Sequence, residues 1–188
     1  MSFIVSTQRI SVPALLFTAL IALFLAAPPA HAASAAEIDQ AVDRALAAFR
    51  KIDGARAFLG IAKGELMFPK VYKAGIGVGG EYGEGALRAG GKTVDYSTAA
   101  ASFGFQLGAQ AKRIVVIFTE ESALRKFRES EGWKVGVDGS VALVDIGVGK
   151  AVDTTNIKDP VIGFIFGQKG LMYNLTLEGS KFTRLGKK

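Results

Sequence analysis

Apolar residues recur at every third or fourth position between Glu37 and Ile52, while charged residues occupy the positions between them. This spacing predicts an amphipathic helix with one face turned toward a core. Ser34 and Glu37 stand three residues apart at its start, the spacing of a capping box. Gly54 follows in the position that commonly ends a helix. The repeating apolar positions are Ile38, Ala41, Val42, Ala45, Leu46, Phe49 and Ile52.

Two shorter segments also have helical character. One covers Ala55 to Lys63 and is bounded by Gly64 and Pro69. The other begins after Thr119, which is expected to cap it through its hydroxyl. Acidic residues in its first turn and basic residues in its later turn suit the helix dipole. Its acidic, apolar and basic members are Glu120, Glu121, Ala123, Leu124, Phe127, Arg125, Lys126 and Arg128.

From Ala74 onward the apolar pattern changes to a period of two, and glycine becomes dense. Gly90-Gly91 and Gly179-Ser180 are suited to two-residue hairpin turns, and Gln168-Lys169-Gly170 to a further turn. The segment from Lys150 to Pro160 is predicted as a loop. We therefore expect an α+β fold: a glycine-rich antiparallel β-sheet, strongly curled or barrel-like, with N-terminal helices and one further helix inserted between strands. The predicted strands are Ala74–Tyr82, Ala86–Ala89, Thr93–Tyr96, Ala101–Gln110, Arg113–Phe118, Lys134–Asp138, Val141–Gly147, Val161–Phe166, Leu171–Leu177 and Lys181–Leu185.

The N-terminal stretch is typical of a secretory signal peptide. Arg9 precedes an apolar run from Val12 to Ala27, and Ala30-His31-Ala32 offers a signal-peptidase site. We expect residues 1–32 to be the signal peptide and residues 33–188 to form one exported domain in the periplasm or cell envelope. Ala33-Ser34-Ala35 is an overlapping second cleavage site, and an uncleaved membrane anchor is the alternative.

Cysteine is absent, and the single histidine, His31, lies in the predicted signal peptide. Catalytic triads and zinc sites that need these residues are therefore excluded from the mature domain. We expect no enzyme activity, no cofactor and no metal site. Pairs of carboxylates are the remaining catalytic option, and the candidates are Asp138 with Asp145 and Glu120 with Glu121.

The segment from Gly75 to Gly80 satisfies the G-x-G-x-x-G pattern of dinucleotide sites. The glycine-rich residues after it cannot open the helix that such a site requires. We predict a strand with one bare face, against which another part of the protein packs closely. Trp133 is the only tryptophan, and a core position is favoured over a membrane-interface position.

The formal net charge is +6, and loss of Arg9 with the signal peptide lowers it to +5. A basic excess favours anionic partners, and export makes nucleic acid an unsuitable one. If separate basic groups meet in the fold, they form a site for anionic lipid headgroups; the alternative is that they are scattered, solvated charges. The candidate lipid-binding residues are Lys63, Lys70 and Lys73 around Met67-Phe68-Pro69, Arg125 and Lys126 in the later helix, and Lys181 and Arg184 near the C-terminus.

Several segments together resemble the SYLF domain family, which includes lipid-binding actin regulators and exported bacterial proteins. The resemblance spans about Ala41 to Leu185. It lies in the segment from Phe68 to Gly80, in Gly83-Glu84-Gly85, in the segment from Ser102 to Gln110, and in the hairpin from Lys169 to Ser180. The residues that carry it are Phe68, Pro69, Gly75, Gly77, Gly79, Gly80, Gly104, Gln106, Gly108, Gly170 and Gly179.

This resemblance implies an α+β domain with a glycine-rich antiparallel sheet, and no catalysis. It also implies lipid binding, since members of the family bind phosphoinositides and, in some cases, actin. For an exported member, the expected partner is an anionic phospholipid or another acidic envelope component. The alternative function is a structural or protein-interaction domain with an envelope protein as its partner and no lipid ligand.

Overall fold

The computed structural model describes residues 33–145, 159–170, 176–177 and 179–186. The predicted signal peptide, most of the predicted strand Leu171–Leu177 and most of the predicted loop Lys150–Pro160 lie outside these residues. The described chain is α+β, as expected. Its elements are α1 (Ala35–Phe49), α2 (Ala55–Ile61), β1 (Gly64–Ala89), β2 (Lys92–Phe118), α3 (Glu121–Glu129), β3 (Trp133–Lys134), β4 (Ala142–Asp145), β5 (Val161–Gly170) and β6 (Lys181–Arg184).

The predicted capping box at the start of α1 is confirmed. The Ser34 hydroxyl accepts a hydrogen bond from the Glu37 backbone N–H at 3.3 Å, and the Glu37 carboxylate accepts one from the Ser34 N–H at 2.8 Å. Both bonds satisfy backbone donors that have no partner inside the helix. The helix ends at Phe49, three residues before the predicted end, and Ile52 instead packs against the core from the turn that follows.

Replacing the capping serine gives a first testable result. We expect Ser34→Ala to lower the free energy of unfolding by about 1 kcal/mol, because the Glu37 N–H loses its acceptor. Urea denaturation followed by circular dichroism measures the change. Ser140→Ala is the control, since Ser140 is exposed and lies outside every helix. Equal losses in the two variants would show that the capping box does not stabilise the protein.

Strands β1 and β2 form one long antiparallel hairpin, closed by Gly90 and Gly91 with positive φ of 56° and 71°. The hairpin turn predicted there is confirmed. Its register shifts between Ile76 and Val78, where β1 has one residue between the flanking pairs and β2 has three, residues 104–106. Each strand is thereby divided into two segments, so the six strands supply eight strand segments to a strongly curled sheet.

The register shift separates the sheet into two halves of four segments each. Half-sheet A contains residues 64–76 of β1, residues 107–118 of β2, β5 and β4. Half-sheet B contains residues 78–89 of β1, residues 92–103 of β2, β6 and β3. The β4–β5 pair is parallel, whereas the other strand pairs are antiparallel. The expected antiparallel sheet is therefore mixed at this one pair, where residues 146–160 give enough chain for a crossover.

Several predicted strand boundaries are also corrected. The strands predicted at Ala74–Tyr82 and Ala86–Ala89 belong to one strand that begins at Gly64. Pro69 does not interrupt it, since the register shifts between Phe68 and Val71 and a bulge tolerates the missing N–H of proline. Gln168-Lys169-Gly170 is not a turn, because Lys169 and Gly170 pair with β2.

Two local predictions around α3 need correction. Thr119 does not cap the helix; its hydroxyl donates a hydrogen bond to the Asp159 carbonyl at 3.1 Å, and Glu120 occupies the N-cap position. The strand predicted at Lys134–Asp138 is limited to Trp133 and Lys134. The Asp138 carboxylate accepts a hydrogen bond from the Lys134 N–H at 2.6 Å, which closes a turn.

Two apolar cores lie on opposite faces of half-sheet A. Helices α1 and α2 cover its outer face, where Phe49 and Phe58 pack against Phe164. The inner core fills the curl between the half-sheets together with α3. There the Phe127 ring meets the Trp133 ring edge-on at 5.7 Å, and Trp133 stacks on Phe182 at 6.0 Å. The core position predicted for Trp133 is therefore confirmed. The aromatic residues of the inner core are Phe68, Tyr96, Phe118, Phe127, Trp133 and Phe182.

The glycine-rich part of β1 packs closely against the same strand, as its bare face predicts. A Cβ atom on Gly83 would lie 2.7 Å from the Lys70 carbonyl oxygen, and one on Gly85 would collide with the Met67 carbonyl. At the bend, a Cβ on Gly75 would lie 2.6 Å from the Val78 carbonyl oxygen. These glycines let the two halves of β1 approach each other and thereby allow the sheet to curl.

Candidate functional site

The outer face of half-sheet B contains a row of four residues on adjacent strands. Tyr82 of β1 pairs with Ala99 of β2, Ala99 pairs with Lys181 of β6, and Lys181 pairs with Lys134 of β3. Residues directly opposite one another project from the same face of a sheet. Tyr82 is 52% exposed, and the two lysines are exposed beside each other. The row therefore presents an aromatic side chain at one end and two ammonium groups at the other.

Val78 extends the apolar end of this row. It lies four residues before Tyr82 in β1, so it projects from the same face, and it is 61% exposed. We call Val78, Tyr82, Ala99, Lys134 and Lys181 the outer face. The Tyr82 hydroxyl donates a hydrogen bond to the Glu84 carboxylate at 2.9 Å. Partial burial raises the pKa of Tyr82, and the hydrogen bond to the Glu84 carboxylate raises it further. The phenol therefore remains a neutral donor at neutral pH.

Half-sheet A repeats the arrangement on the other side of the bend. Tyr72 pairs with Ala111, and Ala111 pairs with Lys169. Tyr72 is 55% exposed, and Lys70 Nζ lies 4.7 Å from the centre of its ring, a cation–π distance. Exposed tyrosine and lysine thus lie on both outer faces close to the bend.

The predicted basic residues do not converge on one surface. Lys70 and Lys181 lie in the two rows just described. Lys63 lines a pocket of about 250 Å³ at the far end of β1, together with Glu65 and Arg88. Arg125 and Lys126 are exposed on α3.

Arg184 lies beside Arg128 at a second pocket of about 440 Å³, which Glu129 and Glu131 also line. The C-terminal basic group thus meets the end of α3. This is one way in which two separate basic groups could meet in the fold, as the lipid-site hypothesis requires. The acidic neighbours make this pocket mixed in charge, so it is a weaker anion site than a purely basic surface.

Lys73 is buried, with 4% of its surface exposed, and so cannot belong to an exposed basic surface. It lies inside the curl, where the inner face becomes polar near the bend. Lys112 Nζ lies 3.0 Å from Glu81 Oε1, and both side chains are almost fully enclosed. We call Lys73, Glu81, Thr98, Gln110 and Lys112 the interior polar site; each is buried.

Apart from Lys73, the residues of the interior polar site were not predicted from the sequence. One signal was available: Lys112 precedes the buried positions Ile114 and Val116 at intervals of two. A charged residue that continues the inward half of an alternating strand is unusual and suggests a buried partner. The partner itself, Glu81, lies on another strand and follows only from the fold.

Among the described side chains, those that carry the family resemblance support the fold and line neither the outer face nor the interior polar site. Phe68 stacks against Phe182 at 5.3 Å, Pro69 lies at the β1 bulge, and Gly179 has a positive φ of 78° in the turn before β6. Gly108 and Gly170 lie in β2 and β5, and Gly77, Gly79 and Gly80 lie in β1. Gly104 and Gln106 also lie in β2, and the side chain of Gln106 is outside the described part of the structure.

The carboxylate pairs gain no geometric support. Asp138 closes the turn described above, and the Glu120 carboxylate accepts a hydrogen bond from the Ser122 hydroxyl at 3.2 Å at the start of α3. The Asp145 side chain lies outside the described part of the structure. Among the described residues, no helix is long and apolar enough to cross a bilayer.

Comparison with known proteins agrees with the fold and with the resemblance of the motifs. A family model described as Ysc84, Las17-binding protein actin regulator, matches residues 99–187. The matched range begins within β2 and continues through α3 and β6, and the glycine-rich segment from Phe68 to Gly80 precedes it. No curated protein matches the chain. Residues 99–187 thus match the Ysc84 (SYLF) domain family, which, together with the curled, glycine-rich α+β architecture, is consistent with a SYLF domain in this chain.

Proposed function

We propose that this protein is an exported, non-enzymatic domain that docks on an anionic membrane surface through the outer face of half-sheet B. The row from Tyr82 to Lys134 is the observation that carries the proposal. Lysines near a membrane are attracted to anionic headgroups. A tyrosine beside them suits the boundary between headgroups and acyl chains, where its ring and hydroxyl meet different surroundings.

The contrast between the two half-sheets supports this choice of surface. Helices α1 and α2 cover part of the outer face of half-sheet A and leave Lys70, Tyr72 and Lys169 exposed near the bend. On half-sheet B, Val78, Tyr82, Ala99 and Lys181 are all exposed. Ala99 lies between Tyr82 and Lys181 in the row, and its small side chain leaves both neighbours free to contact a bilayer together. The association of the SYLF family with lipid binding and actin regulation agrees with a binding function.

Co-sedimentation with phosphatidylglycerol vesicles tests the proposal. Because each lysine near an anionic surface contributes about 1 kcal/mol, Lys134→Glu combined with Lys181→Glu is expected to weaken binding by roughly 30-fold or more. Binding of the unaltered protein should also weaken as salt rises, since salt screens surface charge.

Arg125→Glu combined with Lys126→Glu is the matched control, because it changes the net charge equally on a different surface. This variant should lose far less affinity than the outer-face variant. If the two variants lose affinity equally, net charge rather than the outer face drives binding. If the unaltered protein ignores the vesicles at low salt, the lipid proposal fails.

A structural or protein-interaction function is the second candidate, and the exposed side chains of Val78 and Tyr82 favour it. An apolar sheet face without a cover is suited to a partner protein. This candidate predicts association that rising salt does not weaken, in contrast to lipid binding. Export is supported by the pattern of residues 1–32, and sequencing the N-terminus of the mature protein would test cleavage before Ala33.

A further inference from the structure

We infer that the interior polar site binds one phosphate-type oxyanion inside the curled sheet. This site is separate from the outer face and does not depend on the membrane proposal. Its five residues come from both half-sheets, near the bend that joins them: Lys73, Gln110 and Lys112 from half-sheet A, and Glu81 and Thr98 from half-sheet B.

Strand pairing brings these side chains together. Lys73 and Gln110 are directly opposite each other on β1 and β2, and Lys112 lies two residues beyond Gln110, so it projects from the same face. The 3.0 Å contact between Lys112 and Glu81 then connects the two half-sheets across the interior. Thr98 is opposite Gly83, two residues from Glu81.

The charges of the site do not balance. Two ammonium groups, those of Lys73 and Lys112, face one carboxylate, that of Glu81. Among the described residues, Lys112 forms its ion pair with Glu81, and Lys73 has no ion-pair partner. A buried charge is costly unless another charge compensates it. One further negative charge in the site would restore the balance.

Two other buried residues of the interior polar site, Gln110 opposite Lys73 and Thr98 opposite Gly83, carry polar groups without partners among the described residues. In the described part of the protein, neither the amide nitrogen nor the amide oxygen of Gln110 has a hydrogen-bond partner, and the same holds for the Thr98 hydroxyl. Gln110 is 3% exposed and Thr98 is fully buried. Buried polar atoms normally have partners, so their presence beside an unpaired ammonium points to a bound group.

The chemistry of the donors selects the ligand. Ammonium, amide and hydroxyl groups can all donate hydrogen bonds to one acceptor. A phosphate-type oxyanion carries several acceptor oxygens and a negative charge, and charge-assisted bonds to it are strong. Water could satisfy Gln110 and Thr98 but would leave the excess positive charge uncompensated. Burial is the main cause that lowers the pKa of Lys112; Glu81 opposes it, and Lys73 adds a smaller lowering effect.

Calorimetric titration of the purified protein with inorganic phosphate tests the site, with chloride at equal ionic strength as the reference. We expect saturable binding by phosphate at concentrations up to about 10 mM. Lys73→Met should weaken this binding at least about tenfold. Without phosphate, the same variant should have a higher melting temperature, because it removes an uncompensated buried charge. Lys126→Met, on α3 and exposed away from both sites, should leave phosphate affinity within about twofold.

Two further ligands identify the source of the oxyanion. Glycerol phosphate that binds while phosphatidylglycerol vesicles do not compete would indicate a free phosphorylated molecule. The second ligand is the phosphatidylglycerol vesicle. If vesicles displace phosphate equally from the unaltered protein and from the variant with Lys134→Glu and Lys181→Glu, the oxyanion is a lipid headgroup.

Two results would overturn the inference. One is the absence of saturable phosphate binding. The other is a Lys73→Met variant that melts at lower temperature and binds phosphate normally, because Lys73 would then have a structural partner. Neither result would affect the vesicle test of the outer face, so the two proposals can fail separately.

Discussion

Gly85→Ala is expected to destabilise the fold severely, lowering the free energy of unfolding by about 2–4 kcal/mol. A methyl group on Gly85 would collide with the Met67 carbonyl and lie 2.8 Å from the Phe68 ring. The Met67 carbonyl belongs to the same strand and cannot rotate away as a flexible side chain could. The two halves of β1 would therefore have to separate, which would open the inner core beside Phe68.

Urea denaturation followed by tryptophan fluorescence measures this effect, because Trp133 lies in the inner core. Gly80→Ala is the matched control in the same strand, since nothing lies within 4 Å of a Cβ at Gly80. Its free energy of unfolding should change by no more than about 0.5 kcal/mol. If both substitutions are equally mild, close packing of β1 on itself does not hold the curl.

Glu81→Gln is expected to have the second large effect, a loss of about 3–5 kcal/mol. The substitution keeps the shape of the side chain but leaves the buried Lys112 ammonium without its carboxylate. Because the ion pair joins the two half-sheets, its loss should weaken the inner core as well as the pair itself. Chemical denaturation at neutral pH measures the change.

A double-mutant cycle separates the charge effect from the packing effect. Combining Glu81→Gln with Lys112→Met removes both charges, so much of the lost stability should return. Glu84→Gln is the control, because Glu84 lies on the opposite side of the same strand, hydrogen-bonded to Tyr82; it should lose less than about 1 kcal/mol. Purely additive effects of the two interior substitutions would show that the pair is not coupled.

Much of the local structure could be predicted because local interactions decide it. The helix from Ala35 to Phe49 follows from its apolar repeat and its capping box, both of which lie within a few residues. The Gly90-Gly91 turn follows from the need for positive φ at two consecutive positions. The Thr119 cap was wrong because the carbonyl of Asp159, distant in sequence, takes its hydroxyl.

The basic cluster around Met67-Phe68-Pro69 shows why proximity in sequence did not identify the site. Lys63 lies just before β1 and seven residues before Lys70, and the extended chain between them spans roughly 20 Å. Lys70 and Lys73 are three residues apart, and alternation in the strand turns their side chains to opposite faces. Lys70 therefore contacts Tyr72 outside the sheet, while Lys73 is buried inside it.

The sequence by itself determined the α+β class, the glycine-rich strand with its bare face, the first helix with its cap, and the SYLF motifs. Backbone conformation and short-range hydrogen bonds decide these features. Only the tertiary structure decided that Tyr82 shares a row with Lys181 and Lys134, and that Lys112 meets Glu81 inside the curl. Those contacts depend on strand register and on the bend between Ile76 and Val78, where residues far apart in the chain are brought together by pairing and core packing.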